Sequence, residues 1–258
     1  MLLFSVNHYD LYLLVLLRMA AFVATSPLIS VSSWPNVAKL GLAAYLALIV
    51  VPSVSATVPS PFNDPGPYIL LALHETIAGM LIGFTATVLF SAVTIAGQVF
   101  DVQIGFGSAV LYNPQESQPT GITSNLNSLL FTLYFLGMNG LDGMMLAILN
   151  SYRFIPLGKL TFSSNLAGFL VHALDLAMTL GIQFAAPLIV ALLLTDVTFA
   201  LLSRTVPQMN VFVVELPAKL FVGLALYAVA MPGIVYVMGQ VFSTLFREVN
   251  TLLQVLGG

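Results

Sequence analysis

Thr76–Phe100 reads TIAGMLIGFTATVLFSAVTIAGQVF, a run with no Asp, Glu, Lys or Arg. About 20 mostly apolar residues in helical conformation cross the hydrocarbon core of a bilayer, so this run is long enough to span one. The rest of the chain has the same character. Of 258 residues, 59% are hydrophobic and only 7% charged, and mean hydropathy is +1.02. A soluble domain carries roughly a quarter charged residues. Water is a poor solvent for such a chain, so its surroundings are lipid or other protein. The formal net charge of -3 includes no basic cluster, which argues against a nucleic-acid partner. There is no cysteine, so disulfides and thiolate metal sites are excluded.

Further candidate spans lie on either side. Leu11–Ile29 carries Arg18 near its middle, and Leu40–Val58 has Pro52 near its end. MLLFSVNHYD, before the first span, has no basic n-region, so that span is expected to be retained rather than cleaved as a signal peptide. The proline-rich VPSPFNDPGP, residues 58–67, cannot continue a helix. Leu126–Leu136 is short. The breaker GMNGLDG and then Met144–Leu149 follow it. Leu166–Leu202 holds Asp175, Pro187 and Asp196, while Leu220–Phe246 is interrupted by Pro232. The pattern predicts an all-α, polytopic membrane-type protein. About six broken or kinked hydrophobic helices form helical hairpins.

The tail FSTLFREVNTLLQVL is of a different kind. Phe242, Leu245, Phe246, Val249, Leu252, Leu253 and Leu256 fall at helical spacing, with Arg247, Glu248, Asn250 and Gln254 opposite. This predicts an amphipathic C-terminal helix, lying on a membrane surface or docked on a partner. In a six-span arrangement Lys39, Arg204 and Lys219 fall on one side and Arg153, Lys159 and Arg247 on the other. That balance gives no positive-inside bias, which is unusual for a simple stack of spans.

Catalytic motifs are missing. His74-Glu75 lacks a second His four residues on, Gly158-Lys159 lacks the rest of a phosphate loop, and Ser108 lacks the flanking glycines of a nucleophile elbow. Neither an enzyme nor a cofactor is expected. What stands out is a set of ionisable residues at membrane depth: Arg18, Glu75, Asp101, Asp142, Asp175, Asp196, Glu215 and Lys219. Each is costly in lipid and must face protein, water or a headgroup. They read as structural ion pairs or snorkelling ends, or as an ion relay. Gly79 and Gly83 form a GxxxG that allows close helix approach, between chains or within one.

One more segment demands an account. GFGSAVLYNPQESQPTG, Gly105–Gly121, is soft and nearly neutral in an otherwise apolar chain. Gly105, Gly107 and Gly121 permit a flexible backbone, and Pro114 and Pro119 oppose regular structure. Phe106 and Asn113 complete the stretch around an apolar tip of Val110, Leu111 and Tyr112. Such a tip can exclude water, since hydrophobic constrictions gate by dewetting. An ordinary connector is the alternative, although loops longer than about 12–15 residues are more often functional or disordered.

Several stretches taken together resemble one family. They are LLRMAAFVATSPLIS (16–30), VSSWPNVAKLGLA (31–43), AGQVFDVQIGFGSAVLYNP (96–114), LYFLGMNGLDGMMLAILNSYRFIPLG (133–158) and PQMNVFVVELPAKLFVGLAL (207–226). In order and length they are similar to the FliR family, the flagellar export-gate subunits. The subunits of virulence type III secretion systems are closely similar, but NVFVVELPAK and the Gly97-Gln98-x-x-Asp101 stretch look closer to the flagellar branch.

The resemblance implies a single export-gate domain over residues 1–258. Residues 1–160 would be FliP-like and 161–258 FliQ-like. It implies assembly with FliP-like and FliQ-like subunits and a FlhB-like protein, in the bacterial inner membrane within the flagellar basal body. The assembled complex would be raised toward the periplasm, and exported unfolded flagellar proteins would pass through its centre. Partners covering the apolar surface would account for the broken spans and the missing charge bias. The resemblance makes 105–121 a channel plug, comprising Gly105, Phe106, Gly107, Val110, Leu111, Tyr112, Asn113 and Pro114. Asp101 would orient the helix leading into it. Glu215, Pro217 and Lys219 would form a charged turn with Pro217 breaking the helix, its charges pairing with each other or with a neighbouring subunit. Arg18 would make an intersubunit ion pair or cap backbone carbonyls.

Two other readings compete. A stand-alone secondary transporter would use Asp175, Asp196 and Glu215 as ion ligands, since broken helices and intramembrane acids are also transporter features. No clear repeat relates the two halves, which counts against it. An intramembrane hydrolase fails for want of motifs.

Overall fold

A computed structural model describes residues 9–29, 35–54, 58–59, 65–105, 121–160, 165–205 and 211–257. Most of the described residues are helical, and no strand occurs among them. In chain order the helices are α1 (Tyr9–Thr25), α2 (Asn36–Val50), α3 (Pro65–Ile104), α4 (Ile122–Gly137), α5 (Gly140–Phe154), α6 (Asn165–Thr205) and α7 (Val211–Gly257).

Helix boundaries follow local chemistry. A 3-10 turn, Val51–Ser53, finishes α2 where Pro52 removes a backbone donor. The next helix, α3, opens on Pro65, a residue suited to a first helical position, and runs 40 residues. It ends at Gly105, whose φ of 97° is left-handed, and the Gly105 N–H donates to the Val102 carbonyl at 3.2 Å. Between α4 and α5 the chain turns through Asn139, also left-handed at φ 55°.

By length and composition α2 with its 3-10 turn, α3, α6 and α7 can each cross a membrane, and the pair α4 and α5 together makes a fifth. The chain is thus an all-α membrane protein. Each of its apolar runs marks a described helix or, for the fourth, the bent pair α4 and α5, and the last helix extends well beyond the run that marks it. Leu166–Leu202 lies inside the 41 residues of α6, which continues through Pro187. Leu220–Phe246 lies inside the 47 residues of α7, which continues through Pro217 and Pro232. Pro217 therefore does not break a helix. Each proline forfeits one backbone hydrogen bond, and membrane helices accommodate that loss through neighbouring groups.

The chain forms two compact units. One comprises Met1–Leu89, Asn139–Leu174 and Thr244–Gly258, the other Phe90–Met138 and Asp175–Ser243. In the first, α1 lies close on α3. A Cβ on Gly79 would strike the Arg18 carbonyl, and one on Gly83 would come within 2.9 Å of the Phe22 carbonyl. The GxxxG therefore serves packing within the chain. The amphipathic tail also packs within this unit. Leu245, Val249, Leu252, Leu253 and Leu256 are buried, and the Phe246 ring lies against Gly143. Glu248, expected on the polar face, is buried beside Arg247, 3.4 Å away. In the second unit Phe90, Phe131, Phe135 and Phe242 form an aromatic cluster with centroids 4.7–6.3 Å apart.

Candidate functional site

Two buried polar nodes stand out, one in each unit. The node in the second unit begins with Asp101, one turn before the end of α3. Gly121, at the N-cap of α4, has no side chain to satisfy the first amides of that helix. Asp101 supplies the cap from the other helix. Oδ1 accepts from the Thr123 N–H at 2.9 Å and from the Thr123 hydroxyl, and Oδ2 accepts from the Ser124 N–H at 3.0 Å. A carboxylate at a helix N-terminus is also favoured by the helix dipole. The close approach depends on Gly97, where a Cβ would lie 2.7 Å from the Ser124 nitrogen and nearer still to its Cα. Asp101 is 5% exposed, so its charge is balanced by these donors rather than by water.

The same neighbourhood is tied to α6 and α7. Asn127 accepts from the Tyr227 hydroxyl at 2.5 Å, and the Tyr227 ring stacks on Phe100, centroids 5.7 Å apart. Gln103 donates to Asp196 at 3.1 Å, and Lys219 pairs with Asp196 at 2.5 Å. Four helices thus converge where the chain leaves α3 at Gly105 and re-enters helix after Gly121.

The other node is built on Arg18, which is fully buried in α1. Its guanidinium grips Glu75 of α3 with two bonds, Nε to Oε2 at 2.7 Å and Nη2 to Oε1 at 3.0 Å. Nη1 donates to the Ser151 hydroxyl and the Ile155 carbonyl, both at 3.1 Å. The Gly158 N–H donates to Glu75 at 2.9 Å, and the Tyr152 ring centroid lies 3.9 Å from the guanidinium carbon. The node fastens α1, α3, α5 and the 155–158 turn.

The other residues singled out in the sequence fall as follows. Arg18 has an ion-pair partner in its own chain. Lys219 pairs with Asp196, while Glu215 is half-exposed one turn earlier. Pro217 is exposed inside α7. Asp142 stands exposed in the first turn of α5, where an acid suits the dipole, and Asp175 is exposed. Of the plug residues, Gly105 ends α3, while Phe106, Gly107, Val110, Leu111, Tyr112, Asn113 and Pro114 lie outside the described residues. No group of three His, Asp or Glu suited to a metal occurs among the described residues. Asp196 is committed to a lysine, so Asp175, Asp196 and Glu215 do not present three free carboxylates.

Sequence reasoning did not identify Thr123, Ser124, Asn127, Tyr227 or Gln103, nor Glu75 as the partner of Arg18. The Thr-Ser pair just after Gly121 carries a recognisable helix-start signal. The other residues sit inside apolar runs and carry none.

Comparison with known proteins gives a consistent picture. The family model for bacterial export proteins, family 1, matches residues 10–245. The flagellar biosynthetic protein FliR of Bacillus subtilis is 30% identical, with 98% of each chain covered. FliR of Escherichia coli is also 30% identical, over 96% of this chain and 94% of its own. The Yop proteins translocation protein T of Yersinia pestis is 33% identical, over 81% and 80%.

Proposed function

The chain belongs to family 1 of the bacterial export proteins and is a membrane component of flagellar-type protein export, and from that premise we propose that it builds a channel together with FliP-like and FliQ-like subunits. Unfolded flagellar proteins cross the bacterial inner membrane through this channel, within the basal body and beside a FlhB-like protein. Residues 1–160 are the FliP-like part and 161–258 the FliQ-like part, a division by resemblance and not by compactness. The 105–121 segment is the plug, and Asp101 positions its base. Arg18 braces the subunit internally. Lys219, with Glu215 and Pro217 nearby, lies where α7 meets α6.

One observation supports this reading above the others. At about 1.5 Å per residue, α6 and α7, with 41 and 47 residues, are roughly 60–70 Å long. A bilayer core is ~30 Å thick, and a helix tilted by about 40° needs only ~40 Å to cross it. Only 17% of the apolar window of each helix is buried within the chain. Lipid can cover part of that surface, and the remainder calls for partner protein. A stand-alone transporter has no use for so much uncovered helix.

Co-isolation tests this. A tagged chain, co-expressed with FliP-like and FliQ-like proteins and solubilised in mild detergent, is expected to come out in one complex of fixed composition. Isolation of the chain alone, with ion-coupled solute uptake after reconstitution, would favour the transporter.

A further inference from the structure

Two rows of polar side chains lie on the exposed surface of α6 and α7, in the second unit. On α6 they are Asp175, Thr179 and Gln183, and on α7 they are Tyr236, Gln240 and Ser243; all six are exposed. The two helices run antiparallel. Lys219 meets Asp196, a Cβ on Gly223 would lie 3.5 Å from Leu192, and residues 183–188 share a groove with residues 230–237. That register sets Gln183 level with Tyr236, Thr179 with Gln240 and Asp175 with Ser243. At about 1.5 Å per residue the two rows make a polar strip roughly 12 Å long.

Lipid does not suit this strip. Asp175 has no hydrogen bond or ion pair among the described residues. By contrast, Glu75 is held by Arg18, Asp101 by the first amides of α4, and Asp196 by Lys219. An acid exposed on an apolar helix is costly in hydrocarbon unless a cation or water meets it. Pro187 adds to the demand, because it lacks the N–H that would otherwise donate to the Gln183 carbonyl. Water alone does not suit the strip either. The groove beside Gln183 and Tyr236 has a volume of about 320 Å³, and Phe184, Leu188, Ile234 and Val237 line it. Nothing lies within 4 Å of where a Cβ on Gly233 would stand, so there is room in it for a side chain. Such apolar walls give water few partners, and an apolar centre with polar groups at its rim is how protein contacts are built.

Charge decides the occupant. The strip carries one carboxylate and no cation, so its complement is basic. We infer that the strip seats a helix of a partner subunit, with a Lys or Arg against Asp175 and an apolar side chain in the groove beside Gln183 and Tyr236, about two turns along. The inference rests on the assembly proposed for this chain and adds which face is used and what the partner must carry there.

Photo-crosslinking in the solubilised complex tests it. A benzoylphenylalanine placed at Thr179, between Asp175 and the groove, is expected to label a partner-subunit helix with a Lys or Arg within about two turns of the labelled position. Asp175→Lys should lower recovery of that partner with the tagged chain about tenfold or more, because like charges facing each other across an interface are costly. Changing the partner's Lys or Arg to Glu should restore it. Asp175 is exposed in the isolated chain, so the variant is expected to keep its fold, which elution of the chain alone in detergent checks. Labelling of lipid only, of exported polypeptide, or of a helix without a basic residue overturns the inference. Undiminished recovery with Asp175→Lys overturns it too, as does a loss that the partner's reversal does not restore. Failure to isolate any wild-type complex overturns the assembly itself, whereas these results in an intact complex overturn only the seating on this strip.

Discussion

Arg18 and Glu75 show what a charge inside an apolar protein requires. Moving either from water into the interior is expensive, and their attraction repays this only when geometry and further hydrogen bonds are good. Here the pair is bidentate and Ser151, Ile155 and Gly158 satisfy remaining groups. Removing one partner should therefore cost more than the pair is worth. Arg18→Met is expected to destabilise the chain by about 3–5 kcal/mol, because Glu75 is left buried and unpaired. The double variant Arg18→Met with Glu75→Met should cost less than the sum of the two single changes. Unfolding of the four proteins in detergent, read as a double-mutant cycle, checks this. Arg18 is conspicuous in the sequence as a charge in the middle of a span, and Glu75 is conspicuous too. Their pairing across 57 positions is not legible, because it depends on how α1 and α3 pack, and only the Gly79–Gly83 spacing hints at that.

At the scale of the element, helix ends are the informative places. α4 begins at a glycine that cannot cap it, so the cap comes from Asp101 of α3. Losing a cap costs about 0.5–2 kcal/mol, and the loss is felt in the first turn. Asp101→Ala should speed hydrogen exchange at the Thr123 and Ser124 amides by roughly tenfold, while amides in the middle of α4 change little. Uniform acceleration along α4, or none at all, would show that Asp101 is not the cap. The sequence marks Asp101 and the soft stretch following it, and helix type is plain from apolar runs that match the described helices. Helix ends are less legible. Pro187, Pro217 and Pro232 suggest breaks, yet α6 and α7 run through them. In water a proline usually ends a helix, whereas in an apolar setting the remaining backbone bonds are too valuable to give up.

At the scale of the whole molecule, the surface carries the argument. α3 is largely internal, with 61% of its apolar window buried, against 22% or less for α2, α6 and α7. Most of the apolar window of α3 is therefore covered within the chain, while α2, α6 and α7 present apolar faces outward, as suits a membrane component of an export apparatus. Composition alone foretells such a surface, and the balanced placement of Lys and Arg already hints that simple bilayer stacking is the wrong picture. What composition leaves open is how the surface is divided between lipid and protein, because both are apolar neighbours. The central claim is that such an assembly encloses a path for polypeptide, sealed at rest by the segment between Gly105 and Gly121. The most direct test is membrane leak in cells whose chain lacks Leu111 to Gln118, followed alongside secretion of flagellar subunits. The account predicts that ions or small solutes leak through the assembled complex while secretion continues. A complex that assembles, secretes normally and stays tight would contradict it, and would move the seal to another subunit.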